Sequence, residues 1–454
     1  MLEELRAALG PQGCLTGVDV PEAARSDASR SGRDLPLALL RPATVEEVSR
    51  ALAICHRHGA PVVPQGGMTG LAGGANPAPG AIALSLSRLS GVEEIDADAM
   101  AMVVRAGTVL EVAQKAAEAA GFLLPIDLGA RGSCQIGGNI ATNAGGLRVI
   151  RDGMARDNLL GVEAVLADGT VLSRLTKVVK NNTGYDLRHL FAGSEGTLGV
   201  ITRAVIRLRP LPGPRGTVLA ALPDFASVLR LLALARSALP GLSAFEAMWR
   251  DYFAFSQSLL PAPLFADPPP FVVILEAEAG EALERLLETA FEAGVVSDAL
   301  IAQSLAEARR FWAVREGIEM DAALPGLINL DVSLATGRLD DFAQACRAAL
   351  LARFPEAHVS FFGHVADSNL HVAVAVPGGG GGGGETAAHT VDAIAYGVVQ
   401  DFGGSISAEH GIGTLKRDWL GCSRSGAELA AMRAIKTALD PKGILNPGKL
   451  LPPE

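Results

Sequence analysis

Residues 64–77 read PQGGMTGLAGGANP, five glycines within one short loop. Glycine admits positive φ and lets backbone amides approach a ligand closely. Successive amides of that kind form concave nests that hold phosphate oxygens without a cationic side chain. On one side the apolar run Pro61 to Pro64 reads as a strand, and on the other AIALSL (81–86) reads as a second. Two further clusters follow, LGARGSCQIGGNIATNAGGLRVIRDG (128–153) and FAGSEGTLGVIT (191–202). Any one of these is read equally well as a set of tight turns. Three of them, each with Thr or Asn placed to hydrogen-bond, suit the pyrophosphate of a dinucleotide. None follows the strand–glycine–helix order, with an acidic ribose partner, of a Rossmann fingerprint.

Working outward, Thr44 caps a helix in TVEEVSRALAICHRHG, with acids in its first turn and Gly59 past its end. AMVVRA (101–106) and VEAVLADGTVL (162–172) read as strands, the latter a hairpin turning at Asp168-Gly169. GVITRAVIRL (199–208) alternates like a half-buried strand. Residues 1–36 read as a helix and a polar lead-in. Pro210 to Pro214 punctuate the chain, which divides into 1–36, 37–213 and 214–454. After Gly216 strands and Ala/Leu-rich helices alternate as in an α+β domain, with a turn at 268–270 before FVVILEAEA. The seven glycines 378–384 bury no side chain and predict a flexible surface loop.

The formal charge of −10 and the lack of a basic run exclude nucleic acid as a partner. Cys14, Cys55, Cys134, Cys346 and Cys422 are scattered and read as reduced packing thiols. No stretch approaches the roughly 18 apolar residues of a membrane span, and residues 1–10 lack a signal pattern. A cytoplasmic location is expected, with peripheral attachment to a membrane acceptor left open.

Two polar motifs lie in the C-terminal half. FFGHVADSNLHV carries His364 and His371, and SAEHGIG carries Glu409 and His410. Two imidazoles and a carboxylate suit Zn²⁺, Mn²⁺ or Fe²⁺ with a position open for substrate. His364 and His371 stand seven apart across a turn-like VADSN. His410 then stands beside the metal, and a neutral imidazole is a fitting proton acceptor. Local hydrogen bonding within turns is the alternative for any single histidine.

From about Leu37 to Leu451 the segments quoted resemble the vanillyl-alcohol oxidase and p-cresol methylhydroxylase superfamily. They are most similar to the branch holding D-lactate dehydrogenase, D-2-hydroxyglutarate dehydrogenase and the glycolate oxidase flavin subunit. The resemblance implies an α+β chain: a two-subdomain FAD-binding domain of the p-cresol methylhydroxylase type, an α+β substrate (cap) domain and a C-terminal helical segment. It places Pro64, Gly66, Gly67, Thr69, Gly70 and Leu71 on the pyrophosphate. Asp127, Gly137, Gly138, Asn139, Thr142, Asn143, Gly145 and Gly146 are implied along the dinucleotide. Glu195, Gly196, Gly199, Val200 and Ile201 are implied near the adenine or the isoalloxazine, and Asn446 in ILNPGK as the last flavin contact. Met68 stands where many relatives have Gly, and the first loop offers no His or Cys, so non-covalent FAD is expected.

The same resemblance makes His364, His371 and Glu409 metal ligands, with zinc expected, and His410 the base. It assigns Arg315 of FWAVREG to a substrate carboxylate, for which a guanidinium fork is suited. Ala366, Ser368 and Ala373 depart from the family pattern without removing a ligand. Glu319 and Asn329 occupy positions where the branch carries Ser or Thr and Lys, and this favours a D-2-hydroxy monoacid such as D-lactate over 2-hydroxyglutarate. Hydride transfer to flavin N5 is the expected reaction. A quinone, a cytochrome or electron-transfer flavoprotein is the expected acceptor, and a homodimer the default assembly. An oxidase using O₂, an ether-lipid synthase and a non-catalytic FAD-binding subunit are the rival readings.

Overall fold

The computed structural model describes residues 1–317, 319–378 and 384–453. They group into two compact units. The first comprises Met1–Gly146, Asp152–Leu211 and the chain from Glu409 onward; the second comprises Leu147–Arg151 and Pro212–Ala408. The chain passes from the first unit to the second between Leu211 and Pro212. The linear division is corrected at three places. Residues 1–36 are integral to the first unit, where Leu5, Leu9 and Cys14 enter its core. Leu147–Arg151 joins the second, with the Arg148 guanidinium forked on the buried Glu276 carboxylate. The chain from Glu409 returns to the first, because the Val62 N–H donates to Ile444 O and the Asn446 N–H to Val62 O, extending a strand edge.

In the first unit, strands Ala38–Leu40 and Val62–Gln65 both pair in parallel with Ile82–Ser85, and Cys14–Thr16 adds an antiparallel edge. The helix Val45–His58 has the expected ends: Thr44 accepts from the Glu47 N–H, and Gly59 closes it at φ 63°. A second, antiparallel sheet runs in the order Val92–Asp96, Ala101–Arg105, Val200–Arg207, Leu159–Val165, Val171–Arg174. The Asp168-Gly169 hairpin pairs Val165 with Val171. Val200–Arg207 is central here and buried on both faces at most positions, which the alternating sequence does not convey. These two sheets form the two subdomains that the resemblance implies.

The second unit is built on one antiparallel sheet of seven strands among the described residues. Its order is Asp298–Ile301, Arg215–Leu222, Phe271–Glu278, Ala244–Trp249, His358–Gly363, Asn369–Ala375, Ile328–Ser333. On one face Phe225, Trp249 and Phe271 pack together, with Phe225 stacked on Trp249 and Phe271 edge-on to Trp249. On the other, Tyr252, Phe253, Phe311 and Val314, from helices Arg250–Ser258 and Leu305–Glu316, cover Leu219, Met248, Val272 and Ile274. Within the glycine tract, residues 379–383 lie outside the described residues, and so does the loop expected there.

Candidate active site

The three glycine clusters converge in the first unit. A Cβ on Gly67 would stand 2.0 Å from Ser133 O, so the first loop lies directly on the second cluster. Gly66 faces Gly138, and a Cβ built on Gly66 would stand 3.7 Å from the Gly138 Cα. The third cluster hydrogen-bonds to the second, Gly193 N–H to Ile140 O at 3.0 Å and Glu195 N–H to Ala141 O at 2.8 Å. Gly196, at φ 72°, rests on Pro64, and Asn446 Nδ2 donates to both Gly74 O and Glu195 O. Asp127 carries Gly146 against its carbonyl, with its carboxylate paired to Arg131.

The residues present fit a dinucleotide. Asn139 Nδ2, Gln135 Oε1 and Asn446 Oδ1 are buried with no hydrogen-bond partner among the described residues. Buried polar atoms of that kind are costly unless something pairs with them. A Cβ on Gly138 would meet nothing within 4 Å, and Gly70 and Leu71 of the first loop are exposed. Not every residue implied for the cofactor is so placed. Gly137 packs on Ala106 and Gly199 on Phe191. Val200 and Ile201 lie in the hydrophobic core, and Thr142 Oγ1 donates to Gly138 O. Asn143, at φ 50°, accepts from the Arg156 N–H. Gly145 is half-buried. Cys134 is buried and its thiol is pushed up by that burial, which disfavours a thiolate attachment to flavin.

In the second unit, sheet register assembles the polar site. Directly paired residues of antiparallel strands share a face. Met248 pairs with Phe362, Phe362 with His371, and His371 with Asp331. One rung away, Glu246 and His364 stand side by side. Asn329 pairs with Ala373 on the same face, one rung to the other side of His371, and is exposed. The His364 and His371 rings lie 5.3 Å apart at 80°, and their ligand atoms are within 4.8 Å of one another.

Glu246, 1% exposed, organises this row. One oxygen contacts His364 Nδ1 at 2.6 Å; the other accepts from Arg315 Nε at 2.7 Å. An acceptor at Nδ1 makes that nitrogen the protonated one and places the imidazole lone pair on Nε2, the nitrogen a metal would use. Burial pushes the Glu246 carboxyl up, but His364 and Arg315 outweigh it and hold it at about 2. Arg315 is 6% exposed, lies over the Phe362 ring at 4.6 Å and brings Nη2 to 3.5 Å from His364 Nε2. Tyr252 Oη and Ser256 Oγ donate to the carbonyls of Arg315 and Val314, which fixes the helix end that carries it. Only the Nη edge remains to meet a carboxylate.

Between the histidines, Ser368 adopts φ 71°, the left-handed conformation that glycine favours, and shares a hydroxyl hydrogen bond with Thr336. Burial raises the Asp367 carboxyl in that turn to about 6, with His364 opposing the shift. Asp331 is fully buried, accepting from Asn369 Nδ2 at 2.7 Å and from the Ala408 N–H at 3.0 Å. It thereby holds the last residue before Glu409. Glu409 and His410 begin the segment that rejoins the first unit. Glu246 and Asp331 were missed by sequence reasoning; their signal is an acid inside an apolar strand, AFEAMW and INLDVS.

Glu319 is exposed, and precedes a short helix, Met320–Ala323. Cys14, Cys55 and Cys346 are buried free thiols and Cys422 is a partly buried one. No helix among the described residues is long and apolar enough to cross a membrane.

The folded chain therefore presents a glycine-lined dinucleotide cradle in one unit and a histidine–carboxylate–arginine row in the other, the parts of a flavin-dependent oxidoreductase. Residues 36–174 match the family of FAD binding domains, and residues 211–450 that of FAD linked oxidases, C-terminal domain. The chain belongs to this FAD-linked oxidase family and is an FAD-dependent oxidoreductase. It is 40% identical over 438 residues to a D-2-hydroxyglutarate dehydrogenase of Xanthomonas citri pv. viticola, covering 94% of this chain and 93% of that protein. It is 40% identical over 451 residues to the mitochondrial D-2-hydroxyglutarate dehydrogenase of Bos taurus, covering 97% and 82%. Among solved structures, p-cresol methylhydroxylase with substrate bound superposes with a TM-score of 0.79 at 17% identity, covering 99% of this chain and 96% of that one. Alkyldihydroxyacetonephosphate synthase does so at 0.75 and 18%, covering 98% and 84%. These two likenesses are of fold alone.

Proposed function

We propose that this protein oxidises a D-2-hydroxy acid to the 2-oxo acid, with D-2-hydroxyglutarate, the compound in its relatives' names, as the first candidate substrate. The observation that carries the reading is the Glu246–His364–Arg315 row beside His371. It presents an imidazole lone pair and a guanidinium edge at one point, which suits a metal-chelated hydroxy acid. When bound, non-covalent FAD supplies the hydride acceptor and a divalent metal, zinc first, acidifies the substrate hydroxyl. His364, His371 and Glu409 would hold that metal. Arg315 orients the substrate carboxylate through its Nη edge. The His410 imidazole takes the hydroxyl proton as the C2 hydrogen leaves with its electron pair.

A second reading, a monoacid such as D-lactate, is favoured by Glu319 and Asn329. An acid and a neutral amide there offer no cation to a second carboxylate. Anaerobic mixing with D-2-hydroxyglutarate, D-lactate and L-lactate, followed at the flavin absorbance, tests both. Bleaching by one D-acid is expected, slowed about 10²- to 10⁴-fold in His410→Ala. Equal bleaching by His410→Ala and wild type would remove His410 as the base. No bleaching by any of the acids would remove the substrate class.

A further inference from the structure

Glu195 lies in the third glycine cluster, yet its side chain is turned to the segment that carries Glu409 and His410. Its two carboxylate oxygens accept from consecutive amides, the Ile412 N–H and the Gly413 N–H, each at 2.7 Å. Both oxygens are therefore committed to the chain. A Cβ on Gly411 would fall 2.9 Å from the same carboxylate, so the turn after His410 fits against it only as glycine. The backbone of Glu195 is held equally firmly. It adopts φ 50°, its N–H donates to Ala141 O, and its carbonyl accepts from Asn446 Nδ2 at 2.7 Å.

The same short segment is fixed at other points. The Thr414 N–H and Leu415 N–H both donate to Ala72 O, in the first glycine loop, and the Leu450 N–H donates to Gly413 O. Those contacts hold residues 413–415. Glu195 grips the turn at 412 and 413 by its side chain, three residues or fewer beyond His410. We propose that Glu195 is a positioning residue. Its carboxylate orients the Glu409–His410 turn relative to the glycine loops, and it does not bind the cofactor. A carboxylate is the residue type this needs, since only it accepts from two adjacent N–H groups with a charge-assisted bond to each. A glutamine has the same shape but turns an N–H₂ toward one of those N–H groups.

This inference rests on the reading of Glu409 as ligand and His410 as base. Its direct test does not. Hydrogen–deuterium exchange of the FAD-loaded protein compares wild type with Glu195→Gln. Faster exchange at residues 409–413, with residues 64–77 unchanged and FAD affinity unchanged, is expected. Unchanged exchange at 409–413 overturns the proposal, and so does a loss of FAD affinity without it. The second measurement is the anaerobic rate of flavin reduction at saturating D-2-hydroxyglutarate or D-lactate. A misplacement of about 1 Å lowers such a rate on the order of 10²-fold, with the substrate dissociation constant little moved. If His410→Ala is slow and Glu195→Gln reduces at the wild-type rate, the inference falls and the base assignment stands. If His410→Ala is not slow, the assignment falls, and the exchange data alone decide Glu195. Should Glu195→Gln not fold, Glu195→Asp, which keeps the charge on a shorter arm, replaces it with the same expected direction; wild-type exchange in that variant overturns the proposal.

Discussion

The two candidate sites, one in each unit, are built from different materials. In the first unit, backbone atoms do the work: glycines set loop against loop, and amides and two asparagines remain to meet a ligand. In the second unit, the backbone is an ordinary antiparallel ladder, and the side chains of Glu246, Arg315, His364, His371 and Asp331 make up the candidate site. The difference has a mutational signature. A backbone-made site is harmed by adding atoms, and a side-chain-made site by removing a partner.

The largest effect is expected at Glu246. In Glu246→Gln the Arg315 guanidinium keeps its shape partner but loses the buried counter-charge, at a cost of about 3 kcal/mol. Metal affinity falls about 10- to 100-fold, because glutamine offers one acceptor oxygen to two donors, His364 Nδ1–H and Arg315 Nε–H, and no longer holds the His364 tautomer by charge. Denaturant titration and metal equilibrium dialysis read the two. Unchanged metal affinity would break the side-chain half of the comparison.

Two glycines sharpen the backbone half. Gly67→Ala drives a Cβ into a carbonyl and is expected to lose roughly 1–3 kcal/mol of stability. Gly138→Ala enters open space, so the melting temperature of the FAD-free protein holds while FAD affinity drops. If Gly138→Ala binds FAD like wild type, the gap beside Gly66 is not part of the cradle. A smaller change is expected at Met68, which stands at φ 56°. Met68→Gly relieves a left-handed backbone and raises stability by about 0.5–1 kcal/mol after the added chain entropy, read as a shifted denaturant midpoint.

The smallest effect is a matter of pH in the first unit's own side-chain pairing. Burial raises the Glu163 carboxyl, but Arg203, Ser173 and Thr202 outweigh it, and its pKa is lowered on balance. A depressed folded-state pKa gives stability that is complete above the unfolded value of about 4.3 and is lost as pH falls through the folded value. The difference in stability between wild type and Glu163→Gln should therefore shrink from pH 7 to pH 3, and a constant difference would deny the pairing that role.

Much of the first unit was legible because its signals are local. Thr44 and Gly59 end a helix by bonds within four residues, and Asp168-Gly169 turns a hairpin between neighbours. The glycine clusters announced a cradle for the same reason: a backbone that must approach something closely needs glycine wherever that something lies. The less legible part was which glycines serve the ligand. Gly137 and Gly199 carry the same signature as Gly138 yet accommodate Ala106 and Phe191.

By itself the sequence determined the cofactor class, the ends of the helix between Thr44 and Gly59, and the hairpin at Asp168-Gly169. These depend on residue type and short spacing. Only the tertiary structure decided that residues from 409 onward rejoin the first unit, that Glu246 stands on His364, and that the Glu195 carboxylate grips the turn after His410. Glu246 and His364 are 118 residues apart, and Glu195 and Ile412 are 217 apart. Strand register and chain return create such contacts, and neither leaves a periodicity in the sequence, because the energy that selects them belongs to the assembled core and not to any local segment.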